Sequence, residues 1–232
     1  MGNGFSILGG FHEGFTPTSG GADPESADNM EIGVRYANDN SSLQAIYYNT
    51  DYANMFGECR AASSGVIEGC TIGDTFNAGN STISGLEFSY NSNWKSAGGN
   101  VMTAQLAYTL TNAEFDTTFD SDFWGSVTKG MDIPNVPTSQ LAMVMGSDFQ
   151  NGWSADARVL YYGSTCSVAA CSANTNIDSQ TSFDLSAQYE MNEKTDLYFI
   201  VENMFDSEDI VARAPKNGIR TQRPRSFMIG LR

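Results

Sequence analysis

A chain of 232 residues with a formal charge of −15 excludes nucleic acid as a partner, because phosphate binding needs clustered Lys and Arg. Apolar residues make up 41% and charged residues only 17%, yet no run of about 18 apolar residues exists to cross a membrane as a helix. Low charge without a long apolar run suits a β-barrel, whose lipid face takes every second residue.

Alternation of apolar and polar residues predicts ten strands, near 5–13, 29–36, 42–54, 79–94, 100–114, 138–149, 153–165, 180–191, 195–205 and 225–232. The first puts Phe5, Ile7, Gly9 and Phe11 on one face. The fifth sets Met102, Ala104, Leu106, Tyr108 and Leu110 against Thr103, Gln105, Thr109 and Thr111. The seventh sets Trp153, Ala155, Ala157, Val159 and Tyr161 against Ser154, Asp156 and Arg158. The eighth is the clearest, with Phe183, Leu185, Ala187, Tyr189 and Met191 opposed by Asp184, Ser186, Gln188 and Glu190. Mid-strand Glu87, Asp156, Arg158, Asp184 and Glu190 fit a wet lumen and not a dry sandwich core. Aromatics such as Tyr47, Tyr90, Trp94 and Trp153 fall mostly towards strand ends, where interfacial girdles would place them; ordinary β-propensity is the other reading.

Short connections at 38–41, 95–99, 150–152 and 192–194 alternate strictly with long ones at 14–28, 55–77, 115–137, 165–180 and 206–224. In an up-and-down meander this parity gathers the long loops on one side, as in outer-membrane barrels. Cys59 with Cys70, and Cys166 with Cys171, then lie in long loops. Neither pair has CxxC spacing or a nearby His, so local disulfides in an oxidising compartment are expected and zinc is not.

Enzymatic chemistry finds little support. His12 is the only histidine, which excludes a multi-His metal site and reads as an ordinary polar position. The acids at Asp120 and Asp122, or Glu208 and Asp209, lie in loops and lack the frame of a glycosidase pair or an EF-hand; a loose Ca²⁺ contact is the alternative for the first. Phe115, Phe119, Phe123 and Trp124 form an aromatic cluster in one long loop, read either as ligand capture or as loop packing. Arg60 and Lys129 are the long-loop cations best placed to meet an anionic ligand.

Several segments, in order, resemble the β-barrel of TonB-dependent outer-membrane receptors. They are Pro24 to Tyr36 (PESADNMEIGVRY), Gln44 to Phe56 (QAIYYNTDYANMF), Thr75 to Tyr90 (TFNAGNSTISGLEFSY) and Ile133 to Met143 (IPNVPTSQLAM). The closing segment matches best, with Val201-Glu202-Asn203-Met204-Phe205-Asp206, then Pro224-Arg225 and Gly230. The look is closest to the branch that takes up ferric dicitrate and related ferric siderophores. The resemblance implies an all-β, antiparallel, up-and-down transmembrane barrel segment spanning 1–232, open if isolated. It is expected to be the C-terminal portion of a barrel of about 22 strands, with the plug domain absent and no signal peptide visible. Family members usually run on to a terminal aromatic, whereas this chain stops at Arg232.

What the resemblance implies about function is a transporter in the outer membrane of a Gram-negative bacterium, not an enzyme. It would contact outer-membrane lipid, take a ferric siderophore or related chelate, couple to TonB through a plug domain, and need no cofactor. Arg60, Phe119, Phe123, Trp124 and Lys129 are the expected ligand contacts, while Asn203, Asp206, Pro224, Arg225 and Gly230 read as fold-determining. Two alternatives stand beside this. A complete ten-stranded outer-membrane barrel, an enzyme or adhesin, would pair 5–13 with 225–232. A soluble secreted β-sandwich would bury the face assigned here to lipid.

Overall fold

The computed structural model describes residues 4–17, 22–58, 71–121, 124–213 and 218–232. Ten strands form one antiparallel sheet in meander order. They are β1 (Gly4–Thr16), β2 (Glu25–Ala37), β3 (Ser41–Ala53), β6 (Ser81–Lys95), β7 (Val101–Phe115), β10 (Ser139–Phe149), β11 (Trp153–Tyr162), β14 (Gln180–Asn192), β15 (Thr195–Glu202) and β18 (Ser226–Leu231). Every expected strand is present, several of them longer than expected, such as β1 and β2. Between these strands, among the described residues, stand four short hairpins that the sequence pattern did not predict. β4 (Phe56–Glu58) pairs with β5 (Thr75–Asn77), and β8 (Phe119–Ser121) with β9 (Gly125–Val127). β12 (Thr165–Cys166) pairs with β13 (Asn176–Ile177), and β16 (Ile210–Ala212) with β17 (Arg220–Thr221). Each stands on a long connection.

Two boundaries differ from expectation for physical reasons. The strand expected at 153–165 stops at Tyr162, because Thr165 and Cys166 turn into their own hairpin. The strand expected at 195–205 stops at Glu202, because Asn203 takes φ +47° and Asp206 φ +57°. Among the described residues, the four non-glycine residues with positive φ are Asn54, Asn135, Asn203 and Asp206, all at roots of long connections. Asn and Asp tolerate this conformation better than other residues because a short polar side chain can bond the local backbone.

Register explains the two faces. One row runs Ile7, Val34, Ala45, Phe88, Tyr108, Leu141, Tyr161 across seven strands. Another runs Ala104, Met145, Ala157, Leu185, Val201, Phe227. This face is open to its surroundings even in mid-sheet, with Leu86, Leu110 and Met145 each 42% exposed. The β-sandwich alternative is overturned here, since it needs this face buried. The closed ten-stranded alternative also fails, because β1 and β18 are the two outer strands of the sheet order and do not pair.

Aromatic residues band the apolar face. Near the short turns, Phe5 meets Tyr36 at 4.7 Å, and Trp153 meets Tyr189 at 4.9 Å and Phe199 at 6.3 Å. At the long-loop end, Phe183 meets Phe205 at 5.4 Å. Among the described residues, the buried core lies at that long-loop end. Phe115 and Val127 are 1% exposed and pack with Ala113, Ile133 and Ala169. A single sheet has no second layer to bury against, so dry packing arises only where loops fold over each other.

Candidate functional site

The face opposite the apolar rows is polar. Its rows include Leu8, Gly33, Ile46, Glu87, Thr109, Gln140, Tyr162, Gln180, and also Gln105, Val144, Arg158, Asp184. A third contains Thr103, Gly146, Asp156, Ser186, Ile200 and Met228. Many of its side chains bond each other. Thr50 donates to Asn29 at 2.8 Å, and Asn29 donates to Glu31 at 2.9 Å. Arg35 donates to Gln44 at 2.8 Å, and Ser226 donates to Glu202 at 3.0 Å. Tyr48 leans across Gly85 to reach Thr111 at 3.3 Å. A Cβ at residue 85 would strike Tyr48 and the Leu110 carbonyl, so glycine makes room for this cross-strand bond.

Near the long-loop end of this face, β1, β2, β3 and β6 line a depression. His12, Asn29, Glu31, Tyr48, Tyr52 and Glu87 converge there. Sequence reasoning treated His12 as an ordinary polar residue. Strand parity carried through the register would have grouped it with these residues, but parity alone does not give the pairing offset. The chemistry on offer is hydrogen bonding and carboxylate charge. Among the described residues, no group of three or more His, Cys, Asp or Glu is placed to hold a metal ion.

The long connections form the second part of the site, and they are tied sideways. Asn77 exchanges bonds with the Asp23 backbone at 2.8 and 2.9 Å, and its amide also donates to the Asn54 carbonyl at 3.1 Å. The Asn54 N–H donates to Asn80, and the Asn80 N–H donates to the Thr117 hydroxyl at 3.0 Å. The Ala169 N–H donates to the Trp124 carbonyl at 2.9 Å, and the Thr165 hydroxyl to the Val136 carbonyl at 3.2 Å. Arg213 then donates to the Asn176 carbonyl at 2.7 Å. The chain of contacts therefore runs from the connection after β1 to the one after β15.

Of the expected ligand contacts, Arg60 and Phe123 lie outside the described residues. Phe119 and Trp124 make edge contacts with Phe115 at 5.5 and 5.4 Å and with each other at 6.0 Å. Both residues are half-buried. The packing reading of this cluster thus has direct geometric content. Lys129 has an exposed side chain, and its N–H is held by the Thr118 hydroxyl at 3.1 Å. Cys166 and Cys171 are disulfide-bonded, with Cα atoms 5.7 Å apart; Cys59 and Cys70 lie outside the described residues.

The residues expected to determine the fold meet at one root. Asn203 is 4% exposed. Its amide donates to the Ser207 carbonyl at 2.9 Å and the Arg223 carbonyl at 2.8 Å, and its oxygen accepts the Ser207 N–H at 3.0 Å. Asp206 accepts the Arg225 N–H at 2.8 Å, while the Arg225 guanidinium donates to the Met204 carbonyl at 3.2 Å. Pro224 has no N–H to satisfy and sits between the two clasped residues. Gly230 lies under the Tyr198 ring, where a Cβ would collide with it.

Comparison with known proteins gives a consistent placement. The model of the TonB dependent receptor-like β-barrel family matches residues 1–204. No curated protein sequence matches the chain. Among solved structures, the ferric-catecholate import receptor Fiu of E. coli K12 aligns with TM-score 0.76 at 18% identity, over 99% of this chain and 32% of its own. The siderophore receptor PiuA of Acinetobacter baumannii aligns with TM-score 0.79 at 18% identity, over 99% and 33%. The ferripyoverdine receptor of the Pseudomonas aeruginosa outer membrane, bound to ferripyoverdine, aligns with TM-score 0.74 at 15% identity, over 98% and 30%. The chain spans about a third of the length of these structures.

Proposed function

Since the chain belongs to the TonB-dependent receptor family of β-barrels, we propose that it forms part of the wall of an outer-membrane receptor for a ferric siderophore or similar iron chelate. The family is one of receptors and not of enzymes. The observation that carries the reading is the two-faced sheet: apolar side chains stand exposed on one side, and a hydrogen-bonded polar surface lines the other. Such a wall separates lipid from a wet interior. The tied connections would form the outer mouth, and the short turns would face the periplasm.

The proposed cargo path starts at the mouth, where Lys129 and Arg60 would attract an anionic chelate. The half-buried Phe119 and Trp124, together with Phe123, would offer rigid apolar contact at small entropic cost. The depression around His12, Tyr48 and Tyr52 would hydrogen-bond the chelate further in. In the whole receptor, a plug domain engaging TonB would supply the energised state, and transport would follow from differential binding between states. Chain 1–232 would be the C-terminal portion of that barrel.

Uptake of ⁵⁵Fe-loaded siderophores by cells whose own receptors are deleted tests this directly. Cells expressing the full-length protein should accumulate iron from at least one siderophore of a panel, and uptake should stop when TonB is removed. Accumulation indifferent to TonB would sink the reading. Lys129→Glu should weaken binding of an anionic chelate several-fold while leaving receptor abundance unchanged.

A further inference from the structure

The hairpin β12–β13 holds the connection between β7 and β10 at two places. Near the root of that connection, the Asn135 N–H donates to the Cys166 carbonyl at 2.8 Å, and the Thr165 hydroxyl donates to the Val136 carbonyl. Farther along it, the Trp124 carbonyl accepts the Ala169 N–H at 2.9 Å, and Ala169 is buried in the cluster of Phe115 and Val127. The Cys166–Cys171 bridge closes the short segment that carries both anchor points. A closed ring of this kind has few ways to move one anchor without the other. Asn176 joins the bridge to a third connection. Its side-chain oxygen lies 3.8 Å from the Cys166 sulfur and 3.9 Å from the Cys171 sulfur, while its carbonyl accepts from Arg213, between β15 and β18. Cys171 is exposed and Cys166 is half-buried, so the bridge presents one sulfur to the medium.

We propose that the Cys166–Cys171 bridge is a redox-sensitive brace that sets how firmly the mouth grips its ligand. The proposal rests on the reading of Trp124 as a ligand contact given above. A small dithiol in the medium is the reductant. Its thiolate attacks the exposed Cys171 sulfur, the S–S bond breaks, and Cys166 leaves as a thiolate that takes up a proton. The second thiol of the reductant then displaces the Cys171 sulfur from the mixed disulfide. Two electrons and two protons reach the protein, and the reductant ends as its own disulfide. The Asn176 oxygen stands within reach of both new thiols as an acceptor. Without the bridge, residues 167–170 gain backbone freedom and the hold of Ala169 on Trp124 loosens. The Thr165 bond nearer the wall does not depend on the bridge. Exposed disulfides are the labile ones, and here the labile bond lies in one loop while the group it positions lies in another. A medium that reduces the bridge also reduces ferric iron, so the grip slackens where ferric chelates are scarce.

The test uses the full-length protein in detergent, with dithiothreitol as the dithiol. Gallium-loaded siderophores serve as probes, because dithiothreitol does not reduce gallium(III). In the reduced protein the Ala169 N–H should exchange about 30-fold faster, the loss expected when so short a ring is opened, while Leu106 in β7 keeps its protection. Chelate binding should weaken several-fold and return on reoxidation. Cys166→Ser with Cys171→Ser should behave as the reduced protein. Dithiothreitol should change that variant no further at Ala169, which separates this bridge from any between Cys59 and Cys70. Unchanged protection at Ala169, an equal rise at Leu106, chelate binding indifferent to reduction, or a double variant that still responds would each overturn the brace. Failure of every siderophore to bind the oxidised protein defeats the functional reading instead, and Ala169 exchange then decides by itself whether the bridge holds Trp124.

Discussion

Replacing Asn203 by Ala should open the connection between β15 and β18. Asn203 is 4% exposed and its side chain makes three hydrogen bonds, to Ser207 twice and to Arg223 once. Each such bond contributes about 1 kcal/mol net, and more when a buried partner is left unsatisfied. Alanine at φ +47° adds about 1 kcal/mol of backbone strain. The sum is about 4 kcal/mol, reduced to about 3 kcal/mol by water entering at the exposed side of the root. Asn203→Gly loses the same bonds without the strain, so it should be milder by about 1 kcal/mol. Amide hydrogen exchange of the full-length protein in detergent reads this locally. The Ser207 N–H should exchange about 100-fold faster in Asn203→Ala. Protection of that N–H unchanged from wild type would refute the idea that one side chain closes this loop.

Other outcomes follow from the faces and the packing. Leu106→Arg, on the apolar face, should cost about 2–4 kcal/mol of folding stability in lipid vesicles by denaturant titration, whereas Gln105→Arg on the polar face should cost little; equal costs would reverse the face assignment. Phe115→Ala should cost about 3 kcal/mol and expose 116–136 to limited proteolysis, because Phe115 is 1% exposed and carries both Phe119 and Trp124. Gly85→Ala should lower stability more than Gly230→Ala, since the first meets a backbone carbonyl as well as Tyr48 and the second meets only the Tyr198 ring. Tyr198→Ala should rescue Gly230→Ala, and a double-mutant cycle without coupling would contradict the contact. Replacing Cys166 and Cys171 by Ser should cost about 2 kcal/mol on the chain-entropy account, measured as a lower denaturant midpoint.

The wall was legible in the sequence because a sheet with unlike faces writes itself as alternation. Phe183 to Met191 shows it without ambiguity, and the alternating connection lengths fixed the meander. The hairpins β4–β5, β8–β9, β12–β13 and β16–β17 were not legible. At two or three residues per strand, there is no period to detect. The depression around His12 was missed for a different reason: its residues come from four strands, and only the register brings them together. Asn203 and Asp206 were legible as structural residues from the closing motif, while their bonding partners at 207, 223 and 225 are brought to them only by the fold.

The left-handed asparagines at the loop roots bear on how such a protein can diversify. Asn54, Asn135 and Asn203 fix the direction in which the chain leaves and re-enters the wall. Asn77, through the Asp23 backbone, and Asn80, through the Thr117 hydroxyl, then fasten neighbouring roots together by contacts that involve no residue from a hairpin tip. Between Asp23 and Thr117, sequence beyond these points can therefore be inserted, deleted or exchanged while the root bonds stay in place. The wall and the rim are inherited as a fixed frame, and ligand preference can drift at the tips as an independent trait.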